Sequence, residues 1–245
     1  MRSHYLRRVE HYTREPEMAQ GKKYKDAARS YDNERMHSIE EAATVIGSFP
    51  KRNYDETVDM VFRLGVDPRK AEEMIRGTVS LPAGTGKDVR VAVFAQGEQA
   101  QAARDAGAEF VGAEDLAEQV EGGMLDFDVT IAAPDMMPIV GKLGRVLGPR
   151  SLMPNPKTGT VTPDVAKAVG EFKGGKVEFR TDKFANVHVP VGKVSFSDAD
   201  LSQNVTAVVE EIRRMKPAGA KGQYIRKASL SSTMGPSVKL DVSDF

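Results

Sequence analysis

A chain of 245 residues, 40% apolar, can bury one large core or two medium ones, which excludes a disordered tail protein. It lacks cysteine, excluding disulfides and thiolate zinc sites, and it has no apolar run near the ~18 residues of a helical membrane span. The net charge of zero would argue against nucleic acid if it were uniform, but it is not. Residues 1–83 hold 15 Lys+Arg against 14 Asp+Glu and residues 176–245 hold 11 against 8, while residues 84–175 hold 9 against 13. From Asp88 to Asp128 only Arg90 and Arg104 offset the acids. The chain contains two differently charged pieces.

Residues 1–21 read as a flexible N-terminal extension, because they are too acidic for a transit peptide and lack the apolar centre of a signal peptide. A short basic helix is predicted from Gly21 to Ser30. Ser38 with Glu41 forms a capping box for a helix that turns Ile39, Ala42, Ala43, Ile46 and Phe49 inward and ends at Pro50. Tyr54 to Leu64 alternates, with Val58, Met60, Phe62 and Leu64 inward, as a half-buried strand beginning at Tyr54. A short helix is predicted from Asp67-Pro68, and a second strand over Arg76–Leu81.

After Ala83 the pattern changes to alternating strands and helices with short turns: strands at 89–95, 110–111 and 127–132, and helices at 98–106 and 114–120. A helix starting at Pro134 follows, then a Pro/Gly loop, then a helix capped by Thr162-Pro163 with Val165, Val169 and Phe172 inward. This is an α/β unit with a largely parallel sheet. Gly84 and Gly86 open it and Gly174-Gly175 close it, as hinges around an insert would. Antiparallel strands then return at 176–180 and 186–191, with a helix at 198–215 and strands at 223–231 and 237–242. The predicted fold is therefore a discontinuous α+β domain, residues 22–83 with 176–245, carrying an inserted α/β domain, residues 84–175.

Catalytic signals are few. Gly84-Thr85-Gly86-Lys87 has Leu81 and Asp88 where a phosphate loop requires Gly and Ser or Thr, so it reads as a linker turn. The strand at 89–95 leads into Gln96-Gly97-Glu98, not a dinucleotide fingerprint, and a nucleotide-binding enzyme on the insert is the disfavoured alternative. The histidines (His4, His11, His37, His188) show no metal-ligand spacing, and no metal or cofactor is expected. His188 taken alone is an edge residue of a strand. Two segments carry more information. Between Pro134 and Pro163, Lys142, Arg145, Arg150 and Lys157 have no acid among them and sit in or beside a loop stiffened by Pro149, Pro154, Pro156 and Gly159, suited to meeting phosphate. Ser231–Ser237 gathers hydroxyls, Gly235 and a projecting Met234 between two strands. Its residues fit ribose and phosphate contact, or an ordinary Gly-Pro hairpin turn, equally well.

The run GKLGRVLGPRSLMPNPKTGTVTPDVA is closely similar to the signature of the bacterial large-subunit ribosomal protein L-one family. YDETVDMVFRLGVDPRKAEEMIRGTVSLPAGTGK before it and KPAGAKGQYIRKASLSSTMGPSV after it resemble the same family, so the likeness spans nearly all of 22–241. Met18-Ala-Gln-Gly-Lys-Lys resembles its usual start. The resemblance implies a Rossmann-like three-layer insert and a non-enzymatic, cytoplasmic protein of the large ribosomal subunit, monomeric when free. It also implies binding to the stalk region of 23S rRNA, help in releasing deacylated tRNA from the exit site, and repression of its own messenger through the mRNA leader. The implied RNA contacts are Tyr54, Arg180, Asp182, Lys183, His188, Lys221, Ser231, Thr233, Met234, Gly235 and Ser237, with Lys142, Arg145, Arg150 and Lys157 as secondary contacts. Tyr54 stands where the family usually has Phe, and Ser151 where it usually has Gly.

Overall fold

The computed structural model describes residues 21–243 and Phe245. The extension expected over 1–21 lies, apart from Gly21, outside them. Helix α1 (Lys22–Arg29) precedes α2 (Ile39–Gly47). The capping box at the start of α2 forms as the sequence predicts: Ser38 Oγ accepts from the Glu41 amide and the Glu41 carboxylate accepts from the Ser38 amide. That entry turns Ala42, Ala43 and Ile46 into the core.

Strands β1 (Thr57–Leu64) and β2 (Arg76–Ser80) follow, but no helix lies between them. Residues 68–73 form successive turns instead. Glu73 Oε2 accepts from the Asp67 amide at 2.7 Å and its other oxygen meets Lys70 Nζ at 2.8 Å, which closes the segment into a knot too tight for a helix. The Lys70 bond first, then the Asp67 amide, hold the Glu73 carboxyl below its usual range.

Strand β3 (Val91–Phe94), buried throughout, pairs in parallel with β4 (Phe110–Gly112) on one side and β5 (Val129–Ala132) on the other. Helices α3 (Gly97–Asp105) and α4 (Glu114–Glu121) make the crossovers. One crossover steps outward and the next steps back across β3, so right-handed connections place these helices on opposite faces of the sheet. The predicted Pro134 helix is broken into a 3-10 turn (Pro134–Met136), α5 (Met137–Lys142) and α6 (Gly144–Leu147). Val140, Leu143 and Leu147 are buried along it, while Met137 is only half-buried. Helix α7 (Val165–Lys173) begins two residues later than predicted: Asp164, not Thr162-Pro163, caps it by accepting from the Lys167 amide.

Strands β6 (Lys176–Arg180) and β7 (Asn186–Lys193), helix α8 (Asp198–Arg214) and strands β8 (Ile225–Ser232) and β9 (Ser237–Leu240) complete the chain. They join β1 in an antiparallel sheet of order β7-β1-β8-β9, with β2 and β6 as a separate ribbon. The fold is thus α+β around one core and α/β around another. One core takes residues from Ala27–Leu81 and Phe179–Leu240, and the second takes residues from Val91–Phe172.

The two chain crossings between these cores touch. The Leu81 amide donates to Gly175 O at 3.1 Å, and a Cβ on Gly175 (φ +105°) would stand 2.6 Å from Gly84 Cα. The outgoing crossing is pinned by Asn204 of α8, which is 0% exposed. Its Oδ1 accepts from the Ala83 amide (3.0 Å) and its Nδ2 donates to Gly84 O (3.0 Å) and Val191 O (2.7 Å). A buried amide with three good partners is strongly favoured over its truncation. Asn204→Ala is expected to lower stability by about 2–4 kcal/mol in urea unfolding, whereas Thr206→Ala, on the exposed side of the same helix, is expected to change it by less than about 0.5 kcal/mol.

Candidate nucleic-acid interface

The antiparallel sheet has one face in the core, where Val58, Met60, Phe62 and Leu64 of β1 pack beneath α2 and α8. Alternation sends Thr57, Asp59, Val61 and Arg63 to the other face. Register then fixes what stands beside them. One row across the sheet is His188, Val61, Ser229 and Lys239; the next is Pro190, Asp59, Ser231 and Ser237; a third holds Asn186, Arg63 and Lys227. His188, Arg63, Lys227, Lys239 and Ser237 are exposed. Among the described residues Arg63, Lys227 and Lys239 have no ion-pair partner. The face is polar, and its charged residues other than Asp59 are basic.

The Thr233–Gly235 turn closes one end of this face between β8 and β9. Thr233 donates to Thr57 O twice, from its amide (3.0 Å) and its Oγ1 (3.1 Å). The Met234 amide donates to Glu56 Oε2 at 2.9 Å, and buried Glu56 is held in turn by Arg52 Nε at 3.4 Å. A Cβ at Gly235 would strike Ser232 Oγ and lie 3.1 Å from the Phe49 ring. The turn is thus tied down on both sides, and Met234 alone projects, 52% exposed. Tyr54, 56% exposed, does not begin β1 as the alternation suggested. Asp55 accepts from the Ser195 amide (3.1 Å) and Oγ (2.7 Å), which draws residues 54–55 off the sheet toward the connection after β7.

The other end of the face carries the 181–185 turn. Asp182 accepts from the amides of Phe184 and Asn186 and from Asn186 Nδ2, and lies 4.0 Å from His188 Nε2. Burial pushes its carboxyl upward, but these hydrogen bonds outweigh that and leave it below the usual range. Asp182 therefore shapes the turn, with Arg180 and Lys183 exposed on either side. Lys221 is also exposed, beside Gly222. From Thr57 to Arg63 the face runs roughly 20 Å at the usual rise per strand residue. The residues named by resemblance are spread along it and do not form a pocket.

Lys142, Arg145, Arg150 and Lys157 are exposed on the α/β part of the chain. The loop between them is built on Asn155, whose carbonyl accepts from the Thr158 amide and from the hydroxyls of Thr158 and Thr160, both buried. The four cations stay outside the cleft of about 640 Å³ where Ser151, Leu152 and Met153 face Arg180, His188 and Lys193. Ser151 has φ +60°, the left-handed conformation that glycine adopts freely, which explains why Gly would suit this position.

Sequence reasoning missed Glu56 and Arg52 as supports of the turn, and Lys193 and Lys239 as members of the cationic face; Lys227 it placed only as a cation upstream of the Ser231–Ser237 loop. Alternation already sent Asp59 and Arg63 outward, but only the strand register shows which residues stand beside them. Asp59 is the acid among these cations. Partial burial raises its pKa, and His188 and Lys193 offset part of that. A raised carboxyl binds its proton more tightly folded than unfolded, so ionised Asp59 costs stability above pH ~4, and the cost is recovered as pH falls. Asp59→Asn is therefore expected to raise the thermal midpoint at pH 7 and to remove the part of the parent chain's loss of stability that sets in as pH rises above ~4. Ser151→Gly is expected to change stability by between zero and about +1 kcal/mol, a sign opposite to that of most Ser→Gly changes.

A two-core α/β protein with an open, cationic sheet face is the class defined by this geometry. A profile of the ribosomal protein L1p/L10e family matches residues 46–236, and the chain belongs to that family, which is not enzymatic. Curated relatives named large ribosomal subunit protein uL1 are similar over most of both chains. The Cutibacterium acnes protein is 58% identical over 224 residues, covering 91% of this chain and 97% of the relative. Those of a Nocardioides species and of Thermobifida fusca are 56% and 54% identical over 224 residues, covering 91% of this chain and 93% and 95% of the relatives.

Proposed function

We propose that the chain is a constituent of the large ribosomal subunit, acting in the cytoplasm, that grips the stalk region of 23S rRNA with the open face of its antiparallel sheet. The observation that carries this reading is the set of cross-strand rows. They put Arg63, Lys227, Lys239 and His188 on one exposed surface, with Met234 and Tyr54 exposed as well. Unpaired cations gathered in two successive rows, Arg63 with Lys227 and Lys239 in the row of Val61, suit phosphates of a folded RNA, and the hydroxyls of Ser229, Ser231 and Ser237 suit ribose. The fixed turn under Met234 reduces the ordering cost of binding.

Residues 22–83 with 176–245 would form the RNA-gripping unit, and residues 84–175 an inserted unit swinging on Gly84, Gly86, Gly174 and Gly175. The left-handed φ of Gly84, Gly86 and Gly175 supports hinges there, and with Gly84 O held by Asn204 the turning on the outgoing crossing would fall mainly at Gly86. The exposed Lys142, Arg145, Arg150 and Lys157 give the insert its own surface for phosphate, fitting contact with exit-site tRNA and assistance to its release. The same sheet face would bind a leader in the protein's own mRNA that imitates the stalk site, repressing translation. The free protein would be a monomer.

The test is titration of the full chain against stalk RNA and an unrelated hairpin at several salt concentrations. Selective binding with log K falling linearly in log salt is expected. Met234→Ala is expected to weaken stalk binding about 10-fold while moving stability by less than ~0.5 kcal/mol, because its side chain already faces solvent. Equal affinity for both RNAs, or unchanged binding by Met234→Ala, would overturn the reading.

A further inference from the structure

Phe184 is the most exposed large apolar side chain among the described residues, at 68%, and neither the core nor the cross-strand rows account for it. It sits at the tip of the turn joining β6 to β7, the end of the open face away from Met234. The turn leaves it no inward path. Its amide is held by Asp182 Oδ1 at 2.8 Å, and its neighbour Ala185, at φ +65°, takes the buried place while its carbonyl accepts from Leu64 at 2.9 Å. Lys183 Nζ lies 5.2 Å from the Phe184 ring centroid, so a cation accompanies the exposed ring.

A rigidly mounted aromatic ring, solvated on most of its surface and flanked by Lys183 and Arg180, has the properties of a base-stacking platform. We propose that Phe184 stacks on one unpaired nucleobase of the bound RNA, and so forms a second apolar anchor roughly 20 Å along the face from Met234. The proposal rests on the RNA-binding reading above. It adds a requirement to the ligand: paired or compact RNA reaching only the Met234 end would not satisfy it, whereas RNA with an unstacked base at the far end would.

The chain contains no Trp, so Phe184→Trp introduces a single indole reporter at the site. Titrating that variant with stalk RNA is expected to quench its emission in step with binding, as stacking on a base does. Phe184→Ala is expected to weaken binding about 5- to 100-fold, the range of one lost base stack, with the salt slope unchanged because no charge is removed. Its thermal midpoint is expected to match the parent chain, and Phe184→Tyr is expected to bind like the parent. Parent-like affinity of Phe184→Ala, or indole emission unmoved at RNA saturation, would overturn the proposal. If the parent chain prefers stalk RNA and Met234→Ala weakens it while Phe184→Ala does not, this inference alone fails. If the parent shows no preference, the RNA reading fails with it.

Discussion

Everything about the antiparallel part of the molecule depends on β1 being paired on both sides. A strand at the centre of a sheet with one helical layer has its two faces committed by a period of two. Val58, Met60, Phe62 and Leu64 must go under α2 and α8, and Thr57, Asp59, Val61 and Arg63 must go to solvent. A slip of one residue would invert both sets. The register that builds the core therefore also assembles the polar surface, bringing His188 and Ser231 beside β1, and Lys239 one strand beyond, from distant parts of the sequence.

The second constraint is that a chain leaving one core for another must leave and return at one place. Here the crossings meet where Gly175 lies against Gly84, closer than any side chain allows. Asn204 fixes the outgoing crossing to α8 and to β7 at once, through Ala83, Gly84 and Val191. The α/β part is thereby attached at a defined point of the sheet and remains separately packed, with its own parallel sheet and its own acidic surface.

Much of this was legible in the sequence because local chemistry decided it. The Ser38–Glu41 box, the alternation of β1 and the buried run at β3 all act over a few residues, and each produced the expected element. The failures came where side chains reached further. Glu73 closes 67–73 into turns, and Asp55 reaches Ser195 and draws Tyr54 off the strand. Asp164 takes over a cap that Thr162-Pro163 was expected to provide. The site was legible as residue types, through the likeness of the Thr233–Gly235 and 180–183 segments to a known family, but not as a surface. Lys193 and Lys239 join it only through register, and Thr233 and Asp182 prove to be bound up in the turns they occupy.

The most direct test of the account is whether the sheet face recognises RNA without the α/β part. Leu81 and Gly175 are hydrogen-bonded neighbours, so a short Gly/Ser linker can replace residues 84–175 without stretching the remaining chain. Affinity of that shortened protein for stalk RNA should be measured beside the full chain across a salt series. The account predicts binding within about fivefold of the full chain, equivalent to ~1 kcal/mol, with the same preference over an unrelated hairpin. A folded shortened protein that lost this preference would contradict it, and would move recognition to the loop carrying Arg145, Arg150 and Lys157.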